Sequence, residues 1–530
     1  MISRLHLQAS FCFAFILLGG ALRAQADVKL HGLFSDHMVV QRDASIPIWG
    51  WADNDEEVTI RFRDQKVVTR AKDGKWMARL QKARAGGPDE LKVTGKNSIV
   101  LNNVFVGEVW IASGQSNMEW PMRASYQPEK EIPATMNGMV RLYTVPKLKA
   151  NEPQDDVNAS WQECHPGSTS NFSAVAYYFA RDLQKALKVP VGIIHTSWGG
   201  SPADVWMSER VLAAHADYKR DILEAYDAAR QKYEDALAQF EQEQTEAKKE
   251  GKPFTKRRPS ASWKPAELYN GMIAPLIPYA IKGAIWYQGE SNAGRAHQYR
   301  TLFPDMIQNW RRDWGQGDFA FLAVQLAPFM QIKPEPGESS WAELREAQLL
   351  ATKALPNVGM AVITDVGDEK DIHPKKKEPV GARLALAARA IAYGEDIVYS
   401  GPTYRSMKVK DDKAILRFDH VGSGLAAGPL PGKSENAKED KQAVTYDTRT
   451  GRIEVSLTGF AIAGEDKKFV GAKADIQDDK VVVSSPQVQK PVAVRYGWAD
   501  YPVVNLWNKE GLPASPFRTD DFPMVTQPKK

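Results

Sequence analysis

A chain of 530 residues, 43% of them hydrophobic and 25% charged, can bury a catalytic core and is long enough to divide into more than one unit, which excludes a small peptide scaffold. Its formal charge is only +4, and its one dense basic run, KKEGKPFTKRR over 248–258, follows a polar helical stretch and reads as a solvated loop. That balance excludes a dedicated nucleic-acid binder.

The first 26 residues carry basic Arg4, an apolar run from Phe11 to Leu18 and a small-residue ending Ala24-Gln25-Ala26. This is the pattern of a secretory signal cleaved after Ala26, its apolar run too short to span a bilayer comfortably. No later segment reaches spanning length without charges, so the expected product is exported, to the periplasm or the medium, with no membrane span. Cys12 leaves with the signal, and Cys164 remains without an intrachain disulfide partner.

From 27 to 106 short alternating runs, among them SIPIWGWA, EVTIRFR, KWMARLQ and SIVLNNVFV, are separated by turn residues such as Asp53-Asn54-Asp55 and Asp73-Gly74. Short strands at this spacing predict a small β-sandwich. From 107 to 399 the character changes. Solid apolar runs (EVWIAS, VRLYTV, VGIIHTS, GAIWYQG, FAFLAVQLA, GMAVITDV) alternate with helical stretches such as SAVAYYFARDLQKAL and WAELREAQLLATKAL. This predicts an α/β domain with a mostly parallel sheet covered by helices, whose ligand sites lie at the carboxyl ends of the strands. Within it, 208–258 is highly charged, with opposite charges at helical spacing, and predicts a helical insertion. From 400 to 530 strands return (AILRFD, RIEVSL, KVVVSS, PVAVRYGW), which predicts a second β-rich unit.

Chemistry should therefore gather just after the apolar runs. In WIASGQSNMEW, Gly114 relieves the chain after one such run and Ser116 stands at a strand-to-helix turn. There it can serve as an acyl-transfer nucleophile sharing the turn's amides, or simply as a helix cap. A nucleophilic serine needs a base, and neutral imidazole is the usual one. Of the histidines, His373 follows GMAVITDV in the polar loop DVGDEKDIHPKKK, with Pro374 after it and Asp371, Asp368 and Asp365 available to orient the ring. His195 ends VGIIHTS and reads as a packed residue, whereas the adjacent Gly199-Gly200 predicts a loop whose N–H groups approach a substrate oxygen. In GAIWYQGESNAG, Gln288 or Asn292 can offer a side-chain amide to an oxyanion, and Glu290 can fix the loop.

Together GQSNM, WGG, WYQGESN and DIHP, with LFSDHMVVQR near the start and RYGWADYPVVNLWN near the end, make the chain resemble the sialate O-acetylesterase family of SGNH-type carbohydrate esterases. GQSNM alone is moderately specific; the ordered set is strong and spans nearly the whole mature chain. The resemblance implies a flavodoxin-like three-layer α/β core and removal of acetyl groups from sugar hydroxyls, with no metal and no organic cofactor. It implies Ser116 as nucleophile, His373 as base, and the amide of Ser116, a glycine of the WGG turn (Gly200, with Gly199 beside it) and Gln288 as oxyanion donors. The implied substrate is O-acetylated sialic acid on glycans. SGNH enzymes usually place an acid three residues before the histidine, and here that position is Lys370; Asp371 is the preferred orienter, with Asp368 the other choice. An acetylxylan or other polysaccharide deacetylase shares the same motifs. The β-rich flanks and 15 tryptophans also fit a carbohydrate-binding or adhesion protein, which would need neither Ser116 nor His373.

Overall fold

The computed structural model describes residues 27–429, 444–447 and 452–528. The predicted signal over 1–26 lies outside the described residues.

Six parallel strands organise the centre: β1 (Ser98–Gly114), β2 (Asn137–Thr144), β3 (Val191–Ser197), β4 (Gly283–Tyr287), β5 (Ala320–Val324) and β6 (Val358–Ala361). Their order across the sheet is β2-β3-β1-β4-β5-β6, with Gln162–Cys164 antiparallel to β2 at the edge. In register, Ile111 of β1 stands opposite Ile194 of β3, and Ala112 opposite Ile285 of β4. The solid apolar runs of the sequence are these strands, because a parallel strand covered on both faces must be apolar on both. Trp110 and Ala112 of β1 face one core and Val109 and Ile111 the other.

Helices α1 (Ala174–Leu187), α2 (Ala225–Lys249), α3 (Ala296–Trp314), α4 (Ser340–Ala354) and α5 (Glu378–Tyr393) follow in the chain. Helices α1 and α5 cover the Trp110 face and pack on each other, while α3 and α4 cover the Val109 face. Helix starts are set locally: Ser173 Oγ accepts the Ala176 N–H at 3.1 Å at the start of α1, and Ser339 Oγ accepts the Ala342 N–H at 3.0 Å at α4. The charged segment is realised mainly by α2, in which Phe240 alone is buried, against Phe254 of the returning chain (5.1 Å between rings). Short helical pieces over 209–224 precede α2, and the return from 252 to 264 is an irregular strap.

The expected boundary between the first β-rich unit and the α/β unit falls inside one strand. β1 runs unbroken through residues 106 and 107; its first half pairs antiparallel with Gly86–Thr94 and its second half joins the parallel sheet. After α5, two four-stranded sheets share a core of Leu416, Ile462, Val481, Val494 and Tyr496. This unit is tied to the central domain by Arg345, buried, which donates to the carbonyls of Ala499 (2.7 Å) and Asp500 (2.9 Å). Strands β3 and β4 leave β1 in opposite directions, so the carboxyl end of β1 is the topological switch point where α/β sheets open a crevice.

Candidate active site

The turn after β1 is set by Gly114, at φ +138°. A Cβ there would stand 2.2 Å from the Tyr287 carbonyl oxygen, so only glycine lets the ends of β1 and β4 meet this closely. The next N–H, of Gln115, donates to that same carbonyl at 3.0 Å. Ser116 then begins a four-residue helix whose N-cap is Gln115, with no side-chain cap. Ser116 is thus not spent as a helix cap, and its Oγ meets His373 Nε2 at 2.8 Å.

His373 arrives from the loop between β6 and α5. Its ring stacks on Trp120 (4.9 Å, 15°). Its backbone N–H donates to Asp371 Oδ1 at 2.9 Å, and Nδ1 lies 3.4 Å from the same oxygen. A proton on Nδ1 facing this carboxylate leaves Nε2 free to accept from the serine. Burial, and next the Lys377 ammonium, hold the imidazole below its ordinary 6.5; Asp371 opposes them in part. The other acids of the loop do not reach the ring. Asp368 accepts the N–H groups of Lys370 (2.8 Å) and Asp371 (3.3 Å) and shapes the turn, and Asp365 grips Arg383 through both oxygens.

Donors for a developing oxyanion come from three segments. Gly199 lies against Ser116, for a Cβ built on it would be 3.2 Å from Ser116 Cβ; its N–H, however, already donates to Glu119 Oε2 at 2.7 Å. Gly200, at φ +75°, and Ser116 have N–H groups with no acceptor among the described residues. Gln288 is already engaged by its neighbours. Both hydrogens of its buried amide face acceptors, Asn292 Oδ1 at 2.7 Å and the Ser201 carbonyl at 3.3 Å, and its oxygen accepts from Tyr299. In this arrangement its side chain braces the loop. Asn292 Oδ1 takes the bonds from Gln288 and the Ala203 N–H (2.9 Å), which leaves Nδ2 buried with no partner among the described residues. An unspent buried N–H pair is costly unless something arrives to accept it, so Asn292 stands with Gln288 as a candidate side-chain donor.

Beside the WGG turn, Trp198 and Trp263 meet edge to face at 5.5 Å, with Lys147 5.2 Å over Trp198 and Lys149 4.0 Å over Trp263. Lys147 also pairs with Glu119 at 2.6 Å. Trp263 belongs to the strap returning from α2, so this segment contributes to the wall beside the WGG turn. The sequence reading missed this wall, and it also missed Asn117, Trp120 and Lys377. The motif GQSNM flagged the first of these; nothing marked Lys377 apart from its exposed neighbours.

His195 is packed, as its sequence context implied. It is buried against Phe172, Nε2 lies 2.6 Å from Ser197 Oγ, and burial lowers its pKa to about 4. Among the described residues, no three His, Cys, Asp or Glu side chains gather as metal ligands would, and no helix is long and apolar enough to cross a membrane.

Known proteins resemble this chain in sequence and fold. A family model described as carbohydrate esterase, sialic acid-specific acetylesterase, matches residues 259–390. Mouse sialate O-acetylesterase is 30% identical over 423 residues, covering 73% of this chain and 77% of its own, and the human protein is 29% identical over 424 residues, covering 73% and 75%. The crystal structure of a novel carbohydrate acetylesterase from Xanthomonas citri superposes with a TM-score of 0.77 at 37% identity, covering 94% of this chain and all of that one.

Proposed function

Because the chain belongs to the sialate O-acetylesterase family, we propose that it removes O-acetyl groups from sialic acids by a serine mechanism in which Ser116 is the nucleophile and His373 the base. Ser116 Oγ attacks the acetyl carbonyl as His373 Nε2 takes its proton. The oxyanion is received by the Ser116 and Gly200 N–H groups and Asn292 Nδ2. The imidazolium then protonates the departing sugar oxygen, leaving an acetyl ester on Ser116. Water, deprotonated by the same nitrogen, attacks that ester, releases acetate and restores the serine. Asp371 faces Nδ1 and favours the imidazolium as it forms, and Trp198 and Trp263 offer the aromatic surface against which a pyranose packs. Entry of residues 1–26 into a secretion route would deliver the mature chain to the periplasm or the medium, and the β-rich units over 27–106 and 400–530 flank the hydrolase unit of 107–399.

The observation that carries this reading is the 2.8 Å contact between Ser116 Oγ and His373 Nε2, made by residues 257 apart in the chain. Ser116→Ala should retain cooperative unfolding, lose covalent labelling by a serine-directed phosphonate and lose acetate release by about three orders of magnitude or more. Near-normal turnover in that variant would reject the nucleophile. A second reading, deacetylation of another acetylated carbohydrate, draws on the 37% identity to the Xanthomonas protein, which is described only as a carbohydrate acetylesterase. Acetate release compared across O-acetylated sialic acid and acetylated xylan separates the two.

A further inference from the structure

Asn117, the residue after the nucleophile, is fully buried and uses its whole amide. Its Nδ2 donates to Glu290 Oε1 at 2.6 Å and to the carbonyl of Ile372 at 3.0 Å, and its Oδ1 accepts from Lys377 Nζ at 2.5 Å. The orientation of this amide is unambiguous, because an ammonium can only donate and a peptide carbonyl can only accept. Ile372 is the residue immediately before His373. One side chain thus bridges the chain just after the nucleophile to the chain just before the base, with the turn after β4 and the start of α5 as its two other anchors.

The anchors are charged groups held away from water. Lys377 is 1% exposed although Lys375 and Lys376 beside it are exposed, and Glu290 Oε2 is sealed from solvent with no partner among the described residues. Burial pushes the Glu290 carboxyl up from its ordinary value. A buried Lys-Asn-Glu chain is poor value as simple stabilisation, since the cost of desolvating two charges offsets most of their attraction. Its geometric effect is specific: it fixes the approach of the His373 loop to Ser116.

We propose that Asn117 is a positioning residue for the Ser116–His373 pair, locked in place by Lys377 and Glu290, and that this clamp shares with Asp371 the work of orienting the base. The proposal rests on the serine mechanism above. It also accounts for Lys370 in the place where related hydrolases carry an acid: a loop tethered by its backbone carbonyl leaves less for a side-chain carboxylate to do.

The charged groups facing His373 are Asp371 from its own loop, Lys377 from the start of α5 and, through Asn117, Glu290; Glu119 on the nucleophile's turn is directed to Gly199 and Lys147. Two variants test the clamp on the full mature chain, with 4-nitrophenyl acetate as substrate and a phosphonate as probe of Ser116. In Asn117→Ala, kcat and the rate of phosphonate labelling should fall together by about a hundredfold, the loss expected of a misplacement near 1 Å, with KM changed by less than about twofold. In the double variant Lys377→Met with Glu290→Gln, which leaves no buried charge unpaired, the acid limb of the kcat/KM profile should move to higher pH, because the cation that disfavours imidazolium is gone. Lys376→Met, on the exposed neighbour, should leave that limb in place. Normal kcat and labelling in Asn117→Ala, or an acid limb unmoved in the double variant, would overturn the clamp. If instead Ser116→Ala kept its turnover, the serine mechanism itself would fall, and the two failures are distinguishable.

Discussion

Replacing Asp371 by Asn tests how much the acid contributes. The carboxylate oxygen is 3.4 Å from His373 Nδ1, and its side chain is 45% exposed. A unit charge pair at that separation is worth about 1 kcal/mol in water and about 5 kcal/mol at the effective dielectric of a protein surface. The exposure of Asp371 places it toward the watery end, so stabilisation of the imidazolium formed in the transition state should be about 1–2 kcal/mol. Asp371→Asn should therefore lower kcat by about 5- to 30-fold. A buried triad acid behaves otherwise, where the same change costs about 10⁴-fold by imposing the wrong tautomer. The asparagine oxygen can still accept the His373 N–H, so the loop's shape should survive. Steady-state kinetics on a small acetyl ester, with circular dichroism as the folding control, decide the matter. A loss beyond about a thousandfold would mean that the carboxylate closes on the ring in the working state, and no loss at all would mean that it orients nothing.

Two further outcomes follow from burial alone. His31 and His195 are both held neutral by desolvation, each lowered from 6.5 to about 4. Below pH 6.5 the unfolded chain takes up protons that the native one refuses, so stability present at neutral pH is lost as pH falls toward 4, on the order of 3 kcal/mol for each histidine; a urea midpoint unchanged between pH 7 and pH 4.5 would contradict this. Gly114→Ala forces a left-handed alanine whose Cβ meets the Tyr287 carbonyl at 2.2 Å. It should cost on the order of 3 kcal/mol and displace Ser116 as well, read as a lower unfolding midpoint together with loss of phosphonate labelling.

The sequence pattern revealed the sheet because burial on two faces writes itself as an unbroken apolar run, and VGIIHTS, GAIWYQG and FAFLAVQLA became β3, β4 and β5. The continuity of β1 across 106 and 107 was hidden by the same rule: the strand alternates while one face is solvated and turns solidly apolar when helices cover both, so one strand reads as two patterns. Ser116 and His373 could be paired from motif order. The roles of Gln288 and Asn292 could not, since either amide can donate and only the chain's fold decides that Gln288 spends its hydrogens on its neighbour. Lys377 was invisible for a related reason. In PKKKE three lysines are chemically equal, and it is the start of α5 that turns the third inward to Asn117.

His373 is restrained by several weak contacts in place of one strong one: a half-exposed carboxylate beside Nδ1, the Trp120 face against the ring, and a backbone tether through Asn117. Such an arrangement has a physical consequence. A buried acid enforces tautomer and position at once, and its removal is catastrophic; here position belongs to the tether and the stacked ring, and the carboxylate is left mainly with the charge. The two functions should separate on mutation. Loss of Asp371 should act on the charge formed at His373 and so resemble a modest electrostatic defect. Loss of Asn117 should act on distance and be the more damaging, although Asn117 touches neither substrate nor the reacting atoms.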